Sequence, residues 1–277
     1  LPVITRRSAQ QSLYRYIKKL GNPVALLDGD RRLWLFFVSV SVGGWSGSAV
    51  NIMISQDEGV TWGPARRLVA SPFLNLSTLV KGTPLLFEDG SIALPAYHEL
   101  IGVFGELLRI NRAGQVIGKR RLSRGTYALQ PVVVPRSSTE AVGLMRYAGP
   151  APARILSVRT ADGGAQWSPP VKTDLPNPNA AISCIGLENG ELLLVFNNSE
   201  RQRDDLSLAY SANHGETWRV IHSFEKETSD PGAPQRELSY PYLIRAGNGD
   251  FHLLYTWHRT HIKHVRFNEA WLKQKLQ

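Results

Sequence analysis

Arginine, histidine, glutamate and tyrosine recur in this chain at the ends of short apolar runs, where a fold can bring them together. Arg146 closes Val142-Gly-Leu-Met-Arg146, Arg201 and Arg203 follow a run that ends at Asn197, and Arg259 follows Tyr255-Thr-Trp257-His258. Guanidinium forks bind carboxylates through two parallel hydrogen bonds, so such a set suits a ligand that carries a carboxylate. Tyr240 and Glu237 precede the last apolar run, and His98-Glu99 close another. Tyr, His and Glu are the groups that move protons near neutral pH. Asn22, Gln130, Asn179 and Trp257 flank the same kind of run and add hydrogen-bonding and stacking groups. Each also has a plain structural reading. Tyr240 can be a hydrogen-bonded core tyrosine, Arg146 an ion-pair partner, and His98 and Glu99 point to opposite faces if they sit in a strand.

Other chemistries find little support. Cys184 is the only cysteine, which rules out an intrachain disulfide and a Cys-based metal site. His258, His261 and His264 share one segment but lack spaced carboxylates or a second cluster, so no metal and no cofactor are predicted. The formal net charge of +9 favours acidic partners such as anionic glycans. The basic run Tyr14-Arg-Tyr-Ile-Lys-Lys19 stands alone without a nucleic-acid-binding motif, so nucleic acid is not expected. No apolar stretch is long enough to cross a bilayer as a helix, and membrane insertion is not expected. No signal peptide is visible in a chain that starts at Leu1, and a secreted or periplasmic location is compatible with it. Oligomeric state is left open.

What must position these residues is a repeat. Ser55-Gln-Asp57-Glu-Gly59-Val-Thr61-Trp62, Thr160-Ala-Asp162-Gly-Gly164-Ala-Gln166-Trp167 and Ser211-Ala-Asn213-His-Gly215-Glu-Thr217-Trp218 align, with tryptophans 105 and 51 residues apart. A degenerate copy is expected between the first two, at Asn111-Arg-Ala-Gly114. In each copy the Asp or Asn side chain accepts from turn amides, Gly supplies positive φ, and Trp packs between sheets. A second repeat of apolar hairpins starts near Pro23, Pro84, Pro131, Ala181 and Pro241. These read as the inner strands of propeller blades, with the Asp-box turn joining the outer two strands. Without a linker, residues 1–277 read as one all-β domain, a β-propeller with about five blades visible. A functional pocket is expected where the inner strands begin.

The Asp boxes and the segments Lys19-Leu-Gly-Asn-Pro-Val, Gly43-Gly-Trp-Ser, Pro95-Ala-Tyr-His-Glu99, Leu175-Pro-Asn-Pro-Asn179 and Tyr255-Thr-Trp-His-Arg259 resemble the sialidase and neuraminidase-like proteins with BNR repeats, in particular the predicted neuraminidases. The resemblance covers nearly the whole chain. It implies a six-bladed sialidase-type fold whose first blade is incomplete or missing here, with residues 1–7 as a strand of the first or the last blade. It implies a glycoside hydrolase acting on terminal sialic or related acidic sugars, with Tyr240 as nucleophile. Arg146, Arg203 or Arg201, and Arg259 would hold the substrate carboxylate, and Glu237 or Glu99 would replace the family's activating Glu, whose place falls near Gln130. The alternatives are a lyase or other glycosidase on uronate-containing polysaccharide, with His98 or Tyr240 as acid–base, and a glycan-binding propeller without catalysis.

Overall fold

The computed structural model describes residues 2–73, 75–125, 127–227 and 237–277. It divides into two compact units, Leu1–Pro131 and Val132–Gln277.

The first unit opens with helix α1 (Arg6–Leu13), which starts within the segment 1–7 expected as a strand. Thr5 stops any strand from running on: its hydroxyl accepts from the Ser8 amide, while the Ser8 hydroxyl accepts from the Thr5 amide. This reciprocal capping nucleates a helix. Residues 2–5 lie in no strand, and Leu1 is outside the described residues. The helix buries Ala9 and Leu13, with Ile17, against Phe37 and Met53. An antiparallel sheet of four consecutive strands follows: β1 (Lys19–Leu27), β2 (Leu33–Val40), β3 (Ser48–Ser55) and β4 (Arg66–Arg67). The next sheet comprises β5 (Leu79–Val80), β6 (Leu85–Leu86), β7 (Ile92–His98), β8 (Phe104–Ile110) and β9 (Val116–Arg121). There β5 and β6 both pair with β7, and residues 81–84 interrupt what would otherwise be one inner strand.

Strand β10 (Ala128–Pro135) crosses the boundary between the units and joins the first sheet of the second, with β11 (Ala141–Tyr147), β12 (Arg154–Thr160) and β13 (Val171–Pro176). The next sheet is β14 (Ser183–Gly186), β15 (Leu192–Asn197), β16 (Asp205–Ser211) and β17 (Arg219–Lys226). The last has three strands, β18 (Leu238–Arg245), β19 (Phe251–Trp257) and β20 (His261–Phe267), and helix α2 (Glu269–Leu276) follows it. Strand β15 is buried on both faces because it is packed between neighbouring sheets, and its Leu193 and Val195 join Leu243, Leu253 and Tyr255 in one buried cluster. Cys184 lies buried in β14, where burial pushes its thiol up and leaves it inert.

The Asp boxes occupy the turns after the third strand of their sheets. Thr61 donates to Asp57 through its amide (2.8 Å) and its hydroxyl (2.6 Å), the Gly59 amide donates to Ser55 Oγ, and Trp62 Nε1 donates to the Gly59 carbonyl. The Gly amide to Ser or Thr Oγ bond and the turn amide to Asp or Asn Oδ1 bond recur around Asp162 and Asn213, where Asn213 Nδ2 donates to the Thr217 hydroxyl, and a reduced set recurs at Asn111, whose Oδ1 accepts from the Gln115 amide. The Thr61 hydroxyl, then Ser55 and the Thr61 amide, hold the Asp57 carboxyl down at about 2. A carboxyl with a depressed folded-state pKa stabilises fully above its ordinary value, and that contribution fades as pH falls through the folded one. Asp57→Ala is therefore expected to melt at a lower temperature than the parent near pH 7. Thermal melts should show this gap closing between about pH 4 and pH 2.

Candidate active site

In the second unit, six of the residues singled out from the sequence stand together. Arg146, at the end of β11, donates from Nε to Asn179 Oδ1 at 2.6 Å. Arg203 donates from Nη2 to the Asn179 carbonyl at 2.7 Å, and its Nη1 lies 3.6 Å from Glu237 Oε2. Arg259 donates from Nε to Glu237 Oε1 at 2.6 Å. The backbone braces the same groups, since the Leu238 amide donates to the Arg203 carbonyl and the His258 amide to that of Glu237. Three guanidinium groups thus share one network with Asn179 and Glu237. Hydrogen bonding from Arg259, opposed by burial and aided by the charge of Arg203, keeps the Glu237 carboxyl below its ordinary range. In return Glu237, and after it Tyr240, raises the Arg259 guanidinium. Tyr240 therefore sits within electrostatic reach of Arg259, and it is 44% exposed.

The backbone carries strain where these side chains leave it. Asn179, Tyr240, His258 and Arg259 all have left-handed conformations, with φ of 53°, 54°, 50° and 57°. For side chains of this size that conformation costs about 1 kcal/mol each, and such costs concentrate at functional sites. Tyr240 precedes Pro241 in a β-bulge: Ser239 pairs with Thr256 and Tyr242 with Leu254, so two residues oppose one. A bulge re-aims the side chain it carries. His258 and Arg259 form the tip of the β19–β20 hairpin, a place usually given to Asn-Gly. An ion pair of Arg259 with Glu237 and a hydrogen bond between His258 Nε2 and Glu227 Oε1 at 3.1 Å hold this tip.

The remaining predicted residues lie elsewhere. Arg201 is on an exposed turn, its amide donating to Ser199 Oγ. Trp257 turns away from the network, and its Nε1 donates to Glu225 Oε2 at 2.9 Å. Glu225 also accepts from Tyr255 and Lys263, so it ties β17 to β19 and β20. In the first unit, Asn22 and Gln130 occupy left-handed positions before Pro23 and Pro131, as Tyr240 does before Pro241. Both donate side-chain amides to the hydroxyl of Tyr97, at 3.3 Å each. Lys81 stands in the interruption between β5 and β6, and burial pushes its ammonium down to about 8.

His98 and Glu99 do not form a pair. The Glu99 amide donates to Ser77 Oγ. His98 Nε2 is 2.7 Å from Oε1 of Glu106, a carboxylate with no exposed surface, whose Oε2 is 3.2 Å from Lys119 Nζ. Glu106 was not foreseen, because its relation to His98 runs diagonally across two paired strands. Removing its charge strands a Lys119 ammonium that is only one-third exposed. Glu106→Gln is expected to destabilise by about 1–3 kcal/mol, read as a lower urea midpoint.

The sequence pattern that defines the BNR repeat-like domain matches residues 2–253. The chain belongs to this family. Among solved structures, the BNR repeat-like chain is similar to the Hadza microbial sialidase Hz136, with 16% identity and a TM-score of 0.73 over 91% of this chain and 53% of that one. It is similar to a leech intramolecular trans-sialidase complexed with 2,7-anhydro-Neu5Ac, with 14% identity and a TM-score of 0.72 over 92% and 57%. An intramolecular trans-sialidase from Ruminococcus gnavus gives 15% identity and a TM-score of 0.71 over 98% and 82%. The chain therefore spans little more than half the length of the first two. No curated protein matches it by sequence. At these identities the likeness establishes the fold, and the sheets described above are blades of a sialidase-type β-propeller, five among the described residues.

Proposed function

We propose that this BNR repeat-like protein is a sialidase-like glycoside hydrolase acting on terminal sialic or related acidic sugars. The observation that carries the reading is the network of Arg146, Asn179, Arg203, Glu237 and Arg259, with the exposed Tyr240 beside it. Arg203 and Arg259 both face the one carboxylate of Glu237, and a site rich in guanidinium groups favours a carboxylate-bearing sugar. Tyr240 attacks the anomeric carbon: the bond from its oxygen to that carbon forms, the bond to the leaving oxygen breaks, and the phenolic proton passes to Glu237. Water then breaks the aryl glycosidic bond to the tyrosine: its hydroxyl joins the anomeric carbon, the proton held by Glu237 returns to the Tyr240 oxygen, and the proton released by the water neutralises the departed leaving group. Arg259, hydrogen-bonded to Glu237 and close to Tyr240, offsets the negative charge that develops on the tyrosine oxygen. An aryl sialoside, whose leaving group departs without an acid, tests this unit's chemistry directly. Release of the fluorophore is expected, and its absence under conditions where the protein is folded would overturn the reading.

One observation favours a second reading. The buried Glu106 orients His98, an arrangement suited to proton abstraction next to a carboxylate in a uronate. A lyase of this kind leaves an unsaturated sugar, detected by its ultraviolet absorbance in polysaccharide digests. A rise in that absorbance without release of fluorophore from the sialoside would favour it.

A further inference from the structure

One difference of the third Asp box from the other two is a buried side chain in its turn. The residue after its Asp or Asn is Glu58 in the first box, exposed and paired with Arg31, and Gly163 in the second. In the third it is His214, left-handed like them at φ 54°, but only 5% exposed. Its carbonyl accepts from Arg159 Nη2 at 3.0 Å, which fixes the loop. Its ring is hydrogen-bonded to the Val134 backbone, while Nε2 is buried without a hydrogen-bond partner among the described residues. The bond to Val134 therefore falls to Nδ1, which must carry the proton to donate to a carbonyl. Burial first, then the charge of Arg159, lowers the pKa of the ring, so it is neutral at neutral pH. Its Nε2 is then a buried acceptor that lacks a donor.

His214 helps line a cleft of about 380 Å³ formed by turns of the first two sheets of the second unit. Arg136 and Asn189 stand exposed at the mouth, and Glu191, which accepts from Tyr210, lines a wall. The volume falls within the range of small-ligand sites. The lining alternates donors and acceptors, with Arg136 and Asn189 donating and His214 and Glu191 accepting. A lone pair and a carboxylate repel an anion, whereas a polyhydroxylated neutral ring matches both kinds of group.

We infer that this cleft is a second carbohydrate subsite, which takes a neutral hexose unit with a sugar hydroxyl donating to His214 Nε2. The inference is independent of the chemistry proposed for Tyr240. It gives the third Asp box a binding role besides its structural one.

The test is the imidazole nitrogen spectrum of the full chain, titrated with methyl β-galactoside and, separately, with inorganic phosphate. The sugar is expected to shift His214 Nε2 saturably, with Nδ1 remaining protonated. His214→Leu should lose saturable sugar binding measured by calorimetry, a weakening on the order of tenfold or more. Asn189→Ala, at the exposed mouth, should weaken it while leaving the melting temperature unchanged. Both variants should keep parental turnover of an aryl sialoside. A His214 signal that neither probe moves would mean that a bound water satisfies Nε2, and the subsite would be rejected. A response to phosphate alone would reject the neutral sugar.

Discussion

Replacing Tyr240 with phenylalanine is expected to cut turnover of an aryl sialoside on the order of a thousandfold or more, with the fold intact. The substitution removes one oxygen and nothing else. The ring is 44% exposed, so little packing is lost, and a change in stability within about 0.5 kcal/mol is expected. The left-handed backbone at position 240 belongs to the bulge before Pro241, which phenylalanine fills equally well. A merely structural tyrosine predicts the opposite pattern, a change in melting temperature with activity retained. Kinetics and a thermal melt of the same preparation separate the two.

The second large effect is expected at Glu237. Glu237→Gln keeps the shape and can still accept from Arg259, but it neither takes a proton nor neutralises charge. Loss of a proton acceptor lowers turnover on the order of a hundredfold or more. The same change places Arg203 and Arg259 against a neutral partner, so stability falls as well. The sign of the pH dependence follows from the depressed Glu237 carboxyl, held down first by Arg259. Its contribution is complete above the ordinary glutamate range and is lost as pH falls through the lower folded-state value. Melting curves of parent and variant should thus differ at neutral pH and converge only in acid below about pH 4.5. A gap that persists unchanged to lower pH would mean that the carboxylate charge is not what holds Arg259.

Much of the fold could be read from residue types because the Asp box is a local device. Its Ser or Thr, Asp or Asn, and Gly make their bonds within a few residues, so spacing alone predicts the turn. The strand that the family's blade count implies for residues 1–7 gives way to a helix from Arg6, because Thr5 and Ser8 cap it through bonds that a blade count does not express. The candidate site was legible only in part. Arg146, Arg203, Glu237, Tyr240 and Arg259 drew notice as polar residues at the ends of apolar runs, and they do share a network. What joins them is long-range: Asn179 is held from two sides by arginines 33 and 24 residues away. No spacing rule expresses that. Trp257 and the pair Asn22 and Gln130 flank similar runs, yet their side chains are bound to Glu225 and Tyr97. His98 shows the same limit, because its carboxylate partner is a cross-strand neighbour and not the adjacent Glu99. The left-handed conformations at Asn179, Tyr240, His258 and Arg259 left no trace in residue type, since none of these positions is glycine.

The central claim is that Tyr240 forms a bond to the sugar, and covalent trapping addresses it most directly. A sialic acid carrying fluorine at carbons 2 and 3 loses fluoride from carbon 2 as the tyrosine oxygen attacks, while the second fluorine slows hydrolysis of the product. Incubation of the full chain with this reagent, proteolysis and peptide mass spectrometry should place the added fluorosugar on Tyr240, with no adduct in the phenylalanine variant. An intact protein that turns over the aryl sialoside but carries the adduct on another residue, or on none, would contradict the account.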